Sequence, residues 1–301
     1  MNITISGASG LIGRRLLKNL LSAGHSVHVL SRHAGTNLPP GVKLSAWDPV
    51  KGPPPEESLR DAGAVIHLAG EPVAQRWNED VKRRIRESRE RATKNLVDAL
   101  SATDPRPPRL VSQSAVGYYG DRGDALVDES TAPGDSFDAQ VCVAWEAAAL
   151  AAEEVGVRVA IIRSGLVLDP GHGLLKQLLL PFKLGMGGPI AGGAQYMSWI
   201  HIGDEVRLLL WALDTDGASG AYSSTSPNPV TNGEFAKTLG RVLGRPAVLR
   251  VPKAALKLRF GDELGEVVAS GQRVIPRRAL DGGFEFAHPE LEGALRDLLT
   301  G

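Results

Sequence analysis

The residues best suited to chemistry stand near the start of the chain, in the run Gly7-Ala8-Ser9-Gly10-Leu11-Ile12-Gly13. Three glycines at this spacing suit a phosphate. The first permits a tight turn, and the second lets backbone approach a pyrophosphate with no Cβ in the way. The third lets a following helix pack close to the preceding strand. Backbone N–H groups at such a helix start face the ligand, and the helix dipole favours its negative charge. A second feature is Ser31-Arg32-His33. NAD sites place an acid at this point to hold the ribose 2′-hydroxyl, whereas an arginine suits a 2′-phosphate. No acid is present here; Arg32 offers a planar fork with the Ser31 hydroxyl beside it. Arg14 adds charge just past the third glycine. The pattern favours NADP(H) over NAD(H).

These residues need a strand before the turn and a helix after it. Ile3-Thr4-Ile5-Ser6 is β-rich, and Leu16, Leu17, Leu20 and Leu21 recur at helical spacing. Gly24-His25 stops that helix and Val27-His28-Val29-Leu30 begins a second strand, so the glycines sit inside a βαβ unit. Further strands are expected at Val42–Trp47, at Ala64–His67, at Arg109–Ser114 and at Val157–Ile162. Helices are expected over Glu56–Ala62, Glu79–Ala102 and Ser136–Val155. Such alternation predicts an α/β fold with a doubly wound parallel sheet and right-handed crossovers.

One edge of that sheet then collects the candidate site. Asp48, beside Trp47, would flank the adenine, with a plain Asp turn as the competing reading. Leu68, Ala69, Gly70 and Glu71 follow the fourth strand, where small residues let ribose and phosphates come close. His67 reads as a core histidine. Ser112 and Ser114 come from the fifth strand, with Tyr118 and Tyr119 just beyond, and Arg163 ends the sixth. The charged front of the long helix, Lys82 to Arg91 with Arg89 included, reads as a solvated face with i,i+4 pairs.

The texture changes after Gly165. Leu174–Leu184 is an apolar helix, and the glycine-rich stretch 185–193 suits a mobile loop over a pocket. Ser198–Asp204 reads as a short strand entering a helix from Glu205 to Leu213, and Ala221–Ser224 as another strand. Thr231 with Glu234 forms a capping box for a helix through Leu243. The division expected is a Rossmann domain over 1–165, which also receives later strands, and a smaller C-terminal substrate lobe over 166–301, interleaved with the sheet.

Composition narrows the partners. The 301 residues carry 34 basic and 34 acidic side chains, so no net field favours nucleic acid or an anionic membrane. No basic stripe carries interleaved aromatics. The single cysteine, Cys142, allows no intrachain disulfide and no cysteine-rich metal site, and no metal is expected. No leader-like start and no long apolar run are present, so the expectation is a cytoplasmic protein acting on a small molecule.

The chain resembles the extended short-chain dehydrogenase/reductase superfamily, and within it an atypical branch of epimerase family proteins, NAD-dependent epimerase/dehydratase-like and sometimes labelled cell-division inhibitors. The residues that carry this are Ser6-Gly7-Ala8-Ser9-Gly10-Leu11-Ile12-Gly13, His67-Leu68-Ala69-Gly70-Glu71-Pro72 and Ser114-Ala115-Val116-Gly117-Tyr118-Tyr119-Gly120-Asp121. Trp145-Glu146-Ala147-Ala148, Met197-Ser198-Trp199-Ile200-His201 and Ser270-Gly271-Gln272-Arg273-Val274 extend it over essentially the whole chain. The resemblance implies a nucleotide-sugar-epimerase-like fold, NADP(H) binding, a C-terminal substrate lobe and pairing of two copies through the helices Glu79–Ala102 and Ser136–Val155.

It also implies a Tyr and a Lys four apart on one helix, with a Ser on the preceding strand. The Lys ammonium lowers the Tyr pKa so that the phenol can relay a proton. This chain departs there: Cys142 holds the tyrosine position and Glu146 the lysine position, while Ser114 survives. A neighbouring carboxylate raises a thiol's pKa, so the usual relay cannot operate. Three readings stay open. Tyr118, Tyr119 or His201 supplies the proton in a rewired site; Glu146 itself acts as base for an epimerisation or dehydration; or the pocket binds NADP(H) without turnover. Glu146 as an ion-pair partner of Arg163 is the structural alternative.

Overall fold

The β-branched run at the start forms β1 (Asn2–Ser6), buried on both faces from Ile3 onward, as a central parallel strand must be. In the computed structural model, which describes residues 1–33 and 38–300, there follow α1 (Leu11–Ser22), β2 (Ser26–Ser31), β3 (Lys43–Ala46) and β4 (Ala64–His67). Next come α2 (Glu79–Glu87), α3 (Glu90–Ala102), β5 (Arg109–Ala115), β6 (Leu126–Val127), α4 (Phe137–Leu150) and β7 (Arg158–Ser164). The later part holds β8 (Leu166–Leu168), α5 (Gly173–Lys183), β9 (Tyr196–Met197), β10 (Trp199–His201), α6 (Ile202–Asp214) and β11 (Gly220–Ser224). It closes with β12 (Val230–Thr231), α7 (Asn232–Leu243), α8 (Lys253–Phe260), α9 (Asp262–Ala269), β13 (Arg273–Val274), α10 (Arg277–Asp281) and α11 (Leu291–Thr300).

Seven strands form one sheet in the order β11-β7-β5-β4-β1-β2-β3. Every neighbouring pair is parallel. This is the doubly wound fold expected. The strand order reverses between β1 and β4, so the loops after these two strands part there and leave a crevice for a ligand. Helices α1 and α6 cover one face, with Leu16, Leu20, Val206 and Leu209 in the cluster around Ile3, Ile5 and Ile66. Helices α3 and α4 cover the other, with Leu96, Leu100 and Ala149 in the cluster around Val65, Leu110 and Val159. A third cluster joins α5, α7 and α11 around Phe182, Trp199, Phe235 and Leu295. β11 comes from beyond Gly165 yet completes the sheet edge. Among the described residues, no helix is long and apolar enough to cross a membrane.

The structure corrects several expectations. The helix expected over Glu79–Ala102 is two helices broken at Ser88-Arg89. Ser88 Oγ bonds back to the Ile85 carbonyl at 3.0 Å and accepts the Glu71 N–H at 2.9 Å. The hydroxyl thus competes with the helix ladder and ties the break to the loop after β4. Glu56–Ala62 shrinks to a single 3₁₀ turn, Glu56–Ser58, and Ser136–Val155 divides into α4 and a 3₁₀ segment, Ala151–Val155. Helix α6 starts earlier than expected because His201 Nδ1 accepts the Gly203 N–H and caps it. The Thr231–Glu234 capping box is present.

Gly187 and Gly188, in the glycine-rich stretch 185–193, serve close packing. A Cβ on Gly187 would strike the Phe182 ring at 2.4 Å, and one on Gly188 would meet the Leu249 carbonyl oxygen at 2.1 Å. Ile190 is pinned by Asn232 Oδ1 and pairs with Val251.

Helix α1 can approach β1 only because Gly13 has no side chain: a Cβ there would lie 2.2 Å from the Gly7 carbonyl oxygen. Gly13→Ala is expected to destabilise the fold by about 1–3 kcal/mol through overpacking, read as a lower midpoint in urea. Gly52→Ala, where a Cβ meets nothing within 4 Å, should stay within about 0.5 kcal/mol.

Candidate cofactor and active site

The crevice is built by close backbone approach. Gly7 has φ +76°, and a Cβ on it would come within 2.7 Å of the Leu68 carbonyl carbon. The loop after β4 therefore rests directly on the loop after β1. Gly10 precedes α1 with extended backbone and no side-chain cap, and the first turn of α1 carries no acid. The N–H groups at this helix start are left for an anion. Ala8 is buried, Ser9 exposed, and Leu11 and Ile12 half-buried. Arg14 Nε donates to the Ser9 carbonyl at 2.7 Å and steadies the turn. These residues fit a dinucleotide's pyrophosphate.

Around the cradle, Ser31 ends β2 and Arg32 stands exposed just beyond it. Asp48 accepts the Val50 N–H at 3.3 Å and pairs with Lys51 at 3.2 Å, as in an Asp turn. Leu68 and Ala69 are half-buried, Gly70 is exposed, and Ala69 N–H reaches Ser6 Oγ at 3.4 Å. His67 is a core residue, 2.7 Å from Ser6 Oγ through Nδ1. Burial lowers its pKa to about 4, so it is neutral at pH 7. Ser112 is fully buried within β5.

Ser114, Cys142, Glu146 and Arg163 converge at the C-terminal ends of β5 and β7. Ser114 Oγ donates to Glu146 Oε1 at 2.6 Å. Arg163 grips the same carboxylate at both oxygens, Nε to Oε1 at 2.8 Å and Nη2 to Oε2 at 2.7 Å. Both side chains are buried, 5% and 7% exposed, which makes this a desolvated, fork-to-fork ion pair. Burial works against the guanidinium's charge, but the Glu146 hydrogen bonds and charge outweigh it and raise the Arg163 pKa. Arg163 Nη1 donates to Tyr119 Oη at 3.0 Å, and Tyr119 Oη in turn lies 3.0 Å from Ser223 Oγ. The guanidinium carbon sits 3.5 Å from the Tyr118 ring centroid, a cation–π contact.

The two tyrosines differ. Tyr119 is fully buried with its hydroxyl engaged, and burial raises its pKa. Tyr118 is half-buried, and no described residue hydrogen-bonds its hydroxyl. Cys142 is buried, and desolvation, with Glu146 adding to it, pushes the thiol up to about 12. It is therefore a neutral thiol at pH 7. The segment around Gly271 covers this corner: Gln272 Nε2 donates to the Val116 carbonyl at 3.2 Å, and Ser198 Oγ donates to the Gln272 carbonyl at 2.6 Å.

A second buried carboxylate was not legible in the sequence. Glu205, fully buried in the first turn of α6, accepts from Ser164 Oγ at 2.5 Å, Ser224 Oγ at 2.6 Å and Gln113 Nε2 at 3.2 Å. It ties the ends of β5, β7 and β11 together beneath the Ser114 cluster. No described cation pairs with it; the helix N-terminus provides the compensating positive end. Beside it, Asp204 accepts the N–H groups of Ala287 and His288 at 2.9 and 2.8 Å.

His201, His288 and Asp297 also lie together, with one ligand atom of each within 4.8 Å of the others. The His rings lie against each other with centroids 3.8 Å apart and planes tilted by 31°. His201 Nδ1 accepts the Gly203 N–H, which places the ring proton on Nε2, 3.2 Å from Asp297 Oδ2. Arg89, expected on a solvated face, instead turns inward: its guanidinium lies 5.0 Å from the Trp145 ring and bonds the Glu71 carbonyl at 3.0 Å. The break between α2 and α3 redirects it.

Removing one partner of the buried pair leaves the other charge stranded. Glu146→Ala is expected to cost about 3–5 kcal/mol in urea unfolding, and Glu146→Leu combined with Arg163→Met clearly less than the sum of the singles. Glu205 gives a pH signature. Burial raises its pKa above the ordinary 4.5, with the three hydrogen bonds opposing. The folded state holds that proton more tightly than the unfolded state. Relative to Glu205→Gln, the stability of the native sequence should therefore fall as pH rises from 4.5 through the folded value.

Comparison with known proteins agrees with this geometry. The profile of the NAD dependent epimerase/dehydratase family matches residues 3–223, and a domain of unknown function (DUF1731) matches 251–298. The chain is 40% identical to the chloroplastic epimerase family protein SDR39U1 homolog of Arabidopsis thaliana, over 99% of this chain and 87% of that protein. It is 36% identical to human epimerase family protein SDR39U1 over the whole of both. The crystal structure of that human protein (isoform2) with NADPH superimposes with a TM-score of 0.88 at 35% identity, covering all of both chains. The solved structure of MoeE5 in complex with UDP-glucuronic acid and NAD shares the fold at 22% identity, with a TM-score of 0.80 over 98% of this chain and 96% of that one. The chain thus belongs to the NAD dependent epimerase/dehydratase family, on a profile match that spans most of its length.

Proposed function

We propose that this protein binds NADP(H) in the crevice between the Gly7–Gly13 turn and Leu68–Glu71, and acts as an oxidoreductase with epimerase-like geometry on a small polar or nucleotide-linked substrate. The observation that carries the reading is the bare cradle: Gly7 and Gly13 are held where a Cβ would strike backbone, and the N-terminus of α1 is uncapped. The human relative crystallised with NADPH supports it. Leu11 and Ile12 would offer N–H groups to the pyrophosphate, and Ser31 and Arg32 would hold the 2′-phosphate. When bound, the nicotinamide supplies or accepts a hydride.

The chain's own residues must then move one proton. Ser114 Oγ–H donates a hydrogen bond to Glu146, and Glu146 is held at both oxygens by Arg163. Neither is a free acid or base. Cys142 keeps its proton across the neutral range, with its pKa near 12. Tyr118 has the uncommitted hydroxyl of the group, and the Arg163 charge lies against its ring face. Tyr118 therefore exchanges the proton with substrate, while Arg163, fixed by Glu146, positions the ring.

One observation favours a second reading, a non-catalytic NADP(H)-binding regulator: both oxygens of Glu146 and the Cys142 thiol are locked where the superfamily's relay would operate. Fluorescence titration separates cofactor from chemistry. The native protein should bind NADPH more tightly than NADH, and Arg32→Ala should remove that preference, about tenfold or more on NADPH alone. NADPH oxidation is then scanned with quinones, aldehydes and sugar nucleotides. Turnover that Tyr118→Phe lowers about 100-fold, with NADPH binding unchanged, supports the enzyme. Tight binding with no turnover across the panel moves the assignment to the regulator, and equal binding of both cofactors overturns the NADP(H) preference.

A further inference from the structure

The lysine missing from α4 leaves the crevice without its usual cation, yet a cation is present from another direction. Arg89 stands at the break between α2 and α3, where Ser88 has already turned the chain toward the loop after β4. Its guanidinium rests on Gly70: a Cβ there would lie 3.3 Å from Cζ and 3.3 Å from Nη2. On its other side is the Trp145 ring, 5.0 Å away, one residue before Glu146. All the hydrogen bonds it makes to described residues leave from Nη1, to the Glu71 carbonyl at 3.0 Å, the Ile85 carbonyl at 3.3 Å and Ser88 Oγ at 3.4 Å. No described residue accepts from Nη2 or Nε, and no described carboxylate forms an ion pair with this side chain.

We propose that Arg89 is a cofactor-binding residue: its free Nη2 and Nε edge, laid across Gly70, donates to the pyrophosphate of the bound dinucleotide and supplies the positive charge that α4 lacks. This rests on the NADP(H) reading above. Three observations lead to it independently of Arg32. The guanidinium is anchored through one nitrogen and open through the others, which suits fork-like recognition of phosphate. It lies over an exposed glycine two residues beyond the Leu68 backbone that touches Gly7, so the two phosphate-facing loops and the arginine share one end of the crevice. Burial lowers its pKa, with the Glu71 carboxylate among the groups opposing; an anion placed at the open edge would relieve that cost.

The location away from Arg32 makes the test specific. NADPH and NADH are titrated against the native protein, Arg89→Ala, Arg89→Gln and Arg89→Lys, with thermal melts of each cofactor-free protein. A pyrophosphate contact predicts that Arg89→Ala weakens NADPH and NADH by the same factor, roughly 10- to 100-fold. Arg89→Gln, which keeps a polar amide but neither the charge nor the reach of the guanidinium, should weaken both similarly, and Arg89→Lys should recover part of the loss. Loss confined to NADPH would assign Arg89 to the 2′-phosphate and overturn the placement. A lowered melting temperature in every variant with unchanged affinity would make Arg89 a structural hinge and overturn the proposal. A native protein that binds neither cofactor would defeat the cofactor reading itself, a result visible before any variant is made.

Discussion

The buried pair of Glu146 and Arg163 is the interaction on which the site depends. Two unit charges taken out of water are costly, and they persist only when geometry and further hydrogen bonds satisfy them. Here every contact is supplied. Arg163 reaches both oxygens of Glu146 and the Tyr119 hydroxyl, while Ser114 takes a remaining position on Oε1. The pair joins α4 to β7 and carries the Tyr118 ring on its face. In the superfamily's usual site a tyrosine and a lysine do the proton work from α4. Here Glu146 on α4 holds Arg163, and the proton carrier we propose, Tyr118, stands on the segment after β5.

A second support lies below. The first turn of α6 holds two buried acids with different tasks. Asp204 accepts backbone N–H groups from Ala287 and His288, anchoring the C-terminal segment, and Glu205 gathers serines from β7 and β11 with Gln113 from β5. Helix α6 thereby connects the strand ends under the site to the C-terminal segment. The Gly271–Val274 stretch then covers the Tyr118 corner through Gln272 and Ser198. Strand ends, the start of α6 and the C-terminal segment are thereby joined by hydrogen bonds.

Much of this was legible from residues close together in the chain. The βαβ unit, the glycine turn and the capping box at Thr231 are local, because each depends on backbone conformation and on neighbours within a few positions. That Cys142 and Glu146 share one face of a helix was also readable, from their four-residue spacing. The misreadings are instructive. Arg89 looked like one more charge on a solvated helix because periodicity was carried straight through Ser88. The glycines of 185–193 looked mobile because their composition does not reveal that Phe182 and Leu249 press on them.

What the sequence determined by itself is the class of fold and the kind of ligand. Alternating strands and helices with glycines after the first strand admit few arrangements, and the spacing states its own chemistry. The tertiary structure decided which charges are paired, which are open and which hydroxyl is free. Arg163 and Glu146 lie on different elements, and Arg89 meets Gly70 where the helix breaks at Ser88-Arg89. Periodicity reports which face of an element is buried; it carries no information about the partner across the gap. Desolvation and hydrogen bonding, which shift the pKa of Cys142 and Glu205, exist only once that partner is in place.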